Sequence, residues 1–183
     1  MDIYIDTNVL ENFAQAGIDP VVAFAGSPYR LAVTPDLAEE YRTAITHEMV
    51  STPAKLVAKR LLASSERRGI FGFAEAGSAY SGFGQGVLAS DAMASTLKCC
   101  AIKEREGKIP DNRTDAFLAA LSYGAVILTN DKGSHFKKVR EGGGQVYSWI
   151  QVSGSHDSVD ETLRSISRAV SAAAGSLSER DDE

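Results

Sequence analysis

The chain is poor in the residues that carry most side-chain chemistry. It has three histidines and two cysteines in 183 residues, and the cysteines, Cys99 and Cys100, are adjacent. Neighbouring cysteines rarely bridge each other, so neither a disulfide framework nor a zinc site is supported. No apolar run reaches the roughly 18 to 20 residues that a membrane-spanning helix needs. The N-terminus lacks the basic segment and apolar stretch of a secretory signal, so a cytoplasmic protein with no membrane partner is expected. A basic excess is missing too: 24 acids face 19 Lys and Arg, a net charge of −5. Divided by position, that balance changes meaning. Residues 151–183 hold seven acids against three arginines, leaving the first 150 residues at only −1. If four of their acids surround metal ions, the rest of that surface is net positive, and a phosphate substrate remains admissible.

What is present is an ordinary globular composition, 44% hydrophobic and 23% charged, at a length that suits one domain. The organising stretch is the first one. Ile3 and Ile5 alternate with polar neighbours as a short strand, which ends at Asp6. Asp6, Thr7 and Asn8 form a turn into a helix carrying Val9, Leu10, Phe13 and Ala14 at helical spacing. An acid at the carboxyl end of a strand stands where open α/β sheets place their ligands. By itself, Asp6 also suits a plain turn or cap.

Gly17-Ile18-Asp19-Pro20 stops that helix, a short apolar stretch covers 21–25, and Arg30–Val33 reads as a second strand. Thr34 as N-cap, Pro35 at the first helical position and Asp36 in the first turn then start a helix. Its apolar face is Leu37, Ala38, Tyr41, Ala44 and Ile45. At about 100° per residue, Glu40 borders this face while Glu39 points nearly opposite. Another helix is expected over 53–63. From 64 to 86 six glycines interleave with Phe71, Phe73, Tyr80 and Phe83, a long loop or contact surface whose aromatics could stack on unpaired bases. Gly82-Phe83-Gly84-Gln85-Gly86 matches a dinucleotide loop only superficially, since no βαβ unit surrounds it. Val87–Glu104 reads as helix. Thr114 and Asp115 open an apolar helix ended by Gly124, and Ala125–Leu128 is a buried-type strand running into Thr129-Asn130-Asp131. His135–Arg140 is basic, Val146–Ile150 a last strand, 158–174 an amphipathic helix, and the tail acidic. Asp115 also suits a helix dipole and Asp131 an Asx turn; Asp111 stands four residues before Asp115 and is a candidate to join it.

Alternating strands and helices predict a single-domain three-layer α/β/α sandwich with a mostly parallel central sheet. Such a sheet brings the strand ends at Asp6 and Asp131 together, and helices starting near them bring Glu40 and Asp115 to the same rim. Four crowded carboxylates repel and take up protons unless a cation compensates. Hard Mg²⁺ or Mn²⁺ suits an all-oxygen set, and one or two such ions hydrolyse phosphodiesters without a catalytic His, Ser or Cys.

At these residues the chain resembles the PIN-domain family of nucleases, and toxin-like PIN ribonucleases in particular. The matches are Ile5-Asp6-Thr7-Asn8-Val9-Leu10, Thr34-Pro35-Asp36-Leu37-Ala38-Glu39-Glu40-Tyr41, Thr114-Asp115-Ala116-Phe117-Leu118-Ala119-Ala120 and Leu128-Thr129-Asn130-Asp131, in the family's order. The resemblance spans about residues 2–150. It implies a PIN-like nuclease domain over 1–150 with a glycine-rich insert at about 64–86, followed by a C-terminal helix and acidic tail over 151–183. It further implies a Mg²⁺- or Mn²⁺-dependent endoribonuclease, with Asp6, Glu40, Asp115 and Asp131 as metal ligands and catalytic residues. Thr7, Asn8, Thr129 and Asn130 would orient them. RNA is then the substrate, with an antitoxin or other inhibitory protein and a homodimer as possible partners. The insert and the extension depart from compact toxins. Competing readings are a non-catalytic PIN-like module binding RNA or protein, a DNA-directed metal nuclease, and a phospho-acceptor receiver or aspartyl phosphatase. The last pair is disfavoured because Asn8 stands where a haloacid-type phosphatase has its second Asp, and because Asp6 lacks a receiver's acidic neighbour. Arg113, Lys132, Lys137, Lys138 and Arg140 are the candidate phosphate contacts.

Overall fold

The computed structural model describes residues 1–71, 86–88, 90–99 and 113–149. The first strand, β1 (Asp2–Ile5), is buried throughout. A short 3₁₀ turn over Thr7–Val9 leads to α1 (Leu10–Gln15), which Gly17 ends with φ +66°, a left-handed conformation that costs glycine nothing. Then follow α2 (Pro20–Phe24), β2 (Arg30–Val33), α3 (Pro35–Thr46), α4 (Thr52–Ser64) and β3 (Glu66–Arg67). The rest comprises β4 (Gly69–Phe71), β5 (Gly86–Leu88), α5 (Asp91–Cys99), α6 (Arg113–Leu121), β6 (Val126–Leu128), α7 (Ser134–Glu141) and β7 (Val146–Tyr147).

Both long helices start as their sequences require. Thr34 caps α3 by accepting from the Leu37 N–H at 3.1 Å, and Ser51 caps α4 by accepting from the Ala54 N–H at 3.2 Å. Each is followed by proline in the first turn, where its missing donor costs nothing.

The main sheet has strand order β3-β2-β1-β6-β7, and every pairing is parallel. Ile3 lies against Leu31 on one side and Val126 on the other, and Ile5 against Leu128. Chain order therefore runs outward from β1 in one direction and then restarts on its other side at β6. The helices pack in two groups, α4 against α1, α2 and α3, and α6 against α5 and α7, with α3 and α6 also in contact. The protein is a single-domain α/β sandwich. Its core joins Ile3, Ile5, Leu10, Phe13 and Leu37 with Leu118, Leu121, Ile127 and Phe136, all at most 2% exposed.

Several elements differ from the sequence reading. Val87 and Leu88 lie in β5, paired in parallel with β4, instead of opening a helix that begins only at Asp91. Glycines flank this pair, and three-residue strands leave too short a pattern to read. The apolar stretch 21–25 is mostly helix α2, capped by Asp19, and the basic segment 135–140 lies within α7. Residues 72–85 of the glycine-rich stretch, Asp111 and the region 151–183 lie outside the described residues.

Candidate acidic site at the strand switch point

The carboxyl ends of β1 and β6 flank the point where strand order reverses, the usual crevice for a ligand in an open α/β sheet. Asp6 directly follows β1, and its N–H donates to the Leu128 carbonyl at 2.9 Å, carrying the ladder one residue past the strand. Its side chain is 4% exposed. Thr129 Oγ1 donates to Asp6 Oδ2 at 2.6 Å, Asn8 Nδ2 donates to the same oxygen at 2.8 Å, and Thr7 Oγ1 lies 3.3 Å from Oδ1. Burial raises the Asp6 pKa, and the Thr129 and Thr7 hydroxyls and the backbone N–H groups of Asn8 and Thr7 work against that rise.

Asn8 ties the two strand ends together. Its Nδ2 also reaches Thr129 Oγ1 at 3.1 Å, and its Oδ1 accepts from the Asn130 N–H at 2.8 Å. Asn130 Nδ2 donates in turn to the Asn8 carbonyl and, at 2.7 Å, to Asn12 Oδ1, while its Oδ1 accepts from the Trp149 N–H. The Asp131 N–H donates to Thr129 Oγ1 at 3.0 Å. Asp131 does form the Asx turn allowed by its sequence, accepting from the Gly133 N–H at 2.7 Å through Oδ1. A Cβ on Gly133 would stand 3.1 Å from Oδ2, so the glycine leaves this carboxylate its room.

Glu40 reaches the site from one turn inside α3. Tyr41, beside it, is 1% exposed and donates its hydroxyl to the carbonyl of Ile5, pinning α3 to the end of β1. Thr7 Oγ1 lies 3.2 Å from Glu40 Oε2 and 3.3 Å from Asp6 Oδ1; with one proton it satisfies only one of them at a time. Thr114, at the start of α6, also donates to Glu40. Burial raises the Glu40 pKa, these hydroxyls lower it, and the charges of Asp6 and Asp36 raise it. Glu39 is exposed and pairs with Arg42 at 2.6 Å, as the helix-face argument requires.

Asp115 follows Thr114 on α6 and is half-buried. Its pKa is raised to about 6, first by burial and then by the charges of Asp6, Asp131 and Glu40. Asp115 thus lies close enough to feel the charge of each of the other three sequence-selected acids. Among the described residues, however, no three Asp, Glu, His or Cys side chains are close enough to hold a metal ion as they stand.

Arg113 is occupied otherwise than expected. It pairs with Asp36 at 3.0 Å and lies over the Phe117 ring, 5.6 Å from its centroid. Asp36 is 8% exposed, so this pair links the first turns of the two helices that carry Glu40 and Asp115. Arg140 donates to the carbonyls of Asp131 and Val146, while Lys132, Lys137 and Lys138 are exposed. The sequence reading missed Thr114, Tyr41 and Asn12 as supports of the site. Adjacency to Asp115 and Glu40 marked the first two, and helical spacing from Asn8 marked the third. No family model matches the chain, and no curated protein is significantly similar to it.

Proposed function

We propose that the chain is a divalent-metal-dependent endoribonuclease of PIN type, working in the cytoplasm on single-stranded or structured RNA. The observation that carries this reading is the electrostatic coupling of Asp115 to Asp6, Asp131 and Glu40, four carboxylates drawn from four separate elements. Such a set is costly for the fold and is relieved by positive charge. The donors are all oxygen, which fits Mg²⁺ or Mn²⁺. When bound there, an ion of this kind supplies a water of lowered pKa and stabilises charge on the phosphate oxygens. The protein's own contribution is placement. Thr129 and Asn8 hold Asp6 with its Oδ1 side open to Thr7, and Asn130 clamps the loop that carries Asp131. Tyr41 and Thr114 hold Glu40 over the same rim. Exposed Lys132, Lys137 and Lys138 are the cations left for the RNA backbone. A toxin role, with an inhibitory antitoxin and a homodimer, is the physiological setting that the motif resemblance favours.

The lack of a ready three-ligand cluster among the described residues favours a second reading, a PIN-like module that binds RNA or protein without cutting. One experiment separates the two. The purified chain is incubated with mixed single-stranded RNA and matched DNA, with Mn²⁺ or with EDTA, beside Asp6→Asn. Metal-dependent RNA cleavage, reduced at least about 100-fold in the variant, is the expected result. Cleavage of DNA alone makes it a DNA-directed nuclease. No cleavage together with no heat of Mn²⁺ binding leaves the non-catalytic module.

A further inference from the structure

A groove of about 410 Å³ leaves the acidic rim between α1 and α3. It begins at Thr7 and Glu40, passes over Leu10 and Ala44, and ends at His47 and Val50. Its volume falls in the range of small-molecule pockets. Glu40 and His47 are two helical turns apart, so the groove is about 10 Å long.

Its chemistry restricts the occupant. Among the described lining residues there is no Lys or Arg, and a second acid, Glu11, lines it beside Glu40. Glu11 is spent internally, since its two carboxylate oxygens accept from the Ser51 N–H at 2.9 Å and the Ser51 hydroxyl at 2.8 Å. An anionic phosphate is therefore repelled along this path, while a neutral, flat, apolar-faced group is admitted. The far end carries a ring with a donor nitrogen, that of His47. His47 Nδ1 accepts from the Met49 N–H at 3.2 Å, which leaves its Nε2 to carry the ring proton. His47 is exposed at the C-cap of α3, next to Val50.

From this geometry we infer that the groove is a nucleobase subsite, taking one base of the strand whose phosphate lies at the acidic rim. Leu10, Ala44 and Val50 form its apolar floor, and the His47 Nε2–H donates to a ring nitrogen or carbonyl oxygen of the base. The subsite gives the proposed nuclease a base preference beside its cut, and it rests on that proposal for its substrate. Binding of a base does not depend on cleavage, which lets the two be tested apart.

The test is NMR of the full chain in EDTA, titrated with adenosine, guanosine, cytidine and uridine separately. At least one nucleoside is expected to shift the Ala44 methyl and the His47 ring resonances, with affinity reduced about tenfold in His47→Ala. Ala44→Trp, which fills the floor, is expected to abolish the shifts. His47 is exposed, so its substitution spares the fold even if the tryptophan does not. No shift from any nucleoside, or wild-type affinity in His47→Ala, overturns the subsite and leaves the groove to another occupant such as a protein partner. Nucleoside shifts with no cleavage of RNA or DNA and no heat of Mn²⁺ binding keep the subsite and defeat the nuclease reading. RNA cleavage without nucleoside shifts does the reverse.

Discussion

The acidic rim has two sides of unlike construction. On the strand side, Asp6 is more deeply buried than any other acid of the site, yet Thr129, Asn8 and Thr7 all offset the cost of its charge. On the helix side, Asp115 is only half-buried, and every cause acting on it raises its pKa. Burial alone is thus a poor guide to which carboxylate is strained. What decides is whether donors come with it. The strand side is complete within the protein, and the helix side is where added positive charge has most to relieve.

The sharpest way to break that contrast is to remove each carboxylate from an otherwise metal-free protein. Asp6→Ala strips the partner from the Thr129 hydroxyl and the Asn8 amide, both beside a buried strand end, and is expected to cost roughly 2–4 kcal/mol in denaturant unfolding. Wild-type stability in that variant would mean that the donors re-pair and the strand side is not prebuilt. Asp115→Asn is expected to act oppositely, raising Tm in EDTA at neutral pH. The sign follows from the protons bound. Between about pH 4 and pH 6 the folded protein keeps a proton on Asp115 that the unfolded chain has released. Stability therefore falls as pH rises through this window, and the loss is complete above it. Asp6 and Glu40, also raised, contribute in the same direction. The Asp115→Asn variant should show a shallower decline in Tm across pH 4 to 7; an unchanged slope would clear Asp115 of strain.

A smaller effect sharpens the helix side. Glu40→Gln keeps an acceptor for Thr7 and Thr114 but loses the charge, so Mn²⁺ affinity by calorimetry should fall about tenfold or more, with a rise in Tm at neutral pH in EDTA smaller than that of Asp115→Asn. Glu39→Gln removes only the exposed pair with Arg42, and both readouts should stay within error of wild type. Equal losses would undo the assignment of α3's faces.

Much of this arrangement was legible in the residues because it is local. The alternation of Ile3 and Ile5, the Thr34-Pro35 start of α3 and the apolar run before Thr129 each carry their own short-range physics, and they place Asp6, Glu40 and Asp131 on the elements expected. The 100° step separated Glu40 from Glu39 without knowledge of either's neighbours. Arg113 was not legible. Nothing local distinguishes a phosphate contact from an arginine committed to Asp36, because their pairing exists only once α3 and α6 meet. The same holds for the Tyr41 hydroxyl, whose acceptor at Ile5 lies 36 residues away. The parallel pair β4 and β5 escaped for another reason: its register joins Gly69 to Gly86, and glycine carries no side-chain alternation to read.

The place of β1 at the middle of the sheet has a consequence for how the chain comes into being. Its last sheet neighbour, β6, is made long after it, and the Thr129 hydroxyl that secures Asp6 lies 123 residues downstream. At typical synthesis rates that interval is roughly 6 to 25 s. Throughout it the nascent chain carries Asp6, and then Glu40, with β2 available to pair with β1 but without β6 on its other side and without Asp131 to face. The cluster is therefore a product of the finished sheet, completed only as β6 and the Thr129 hydroxyl dock beside β1.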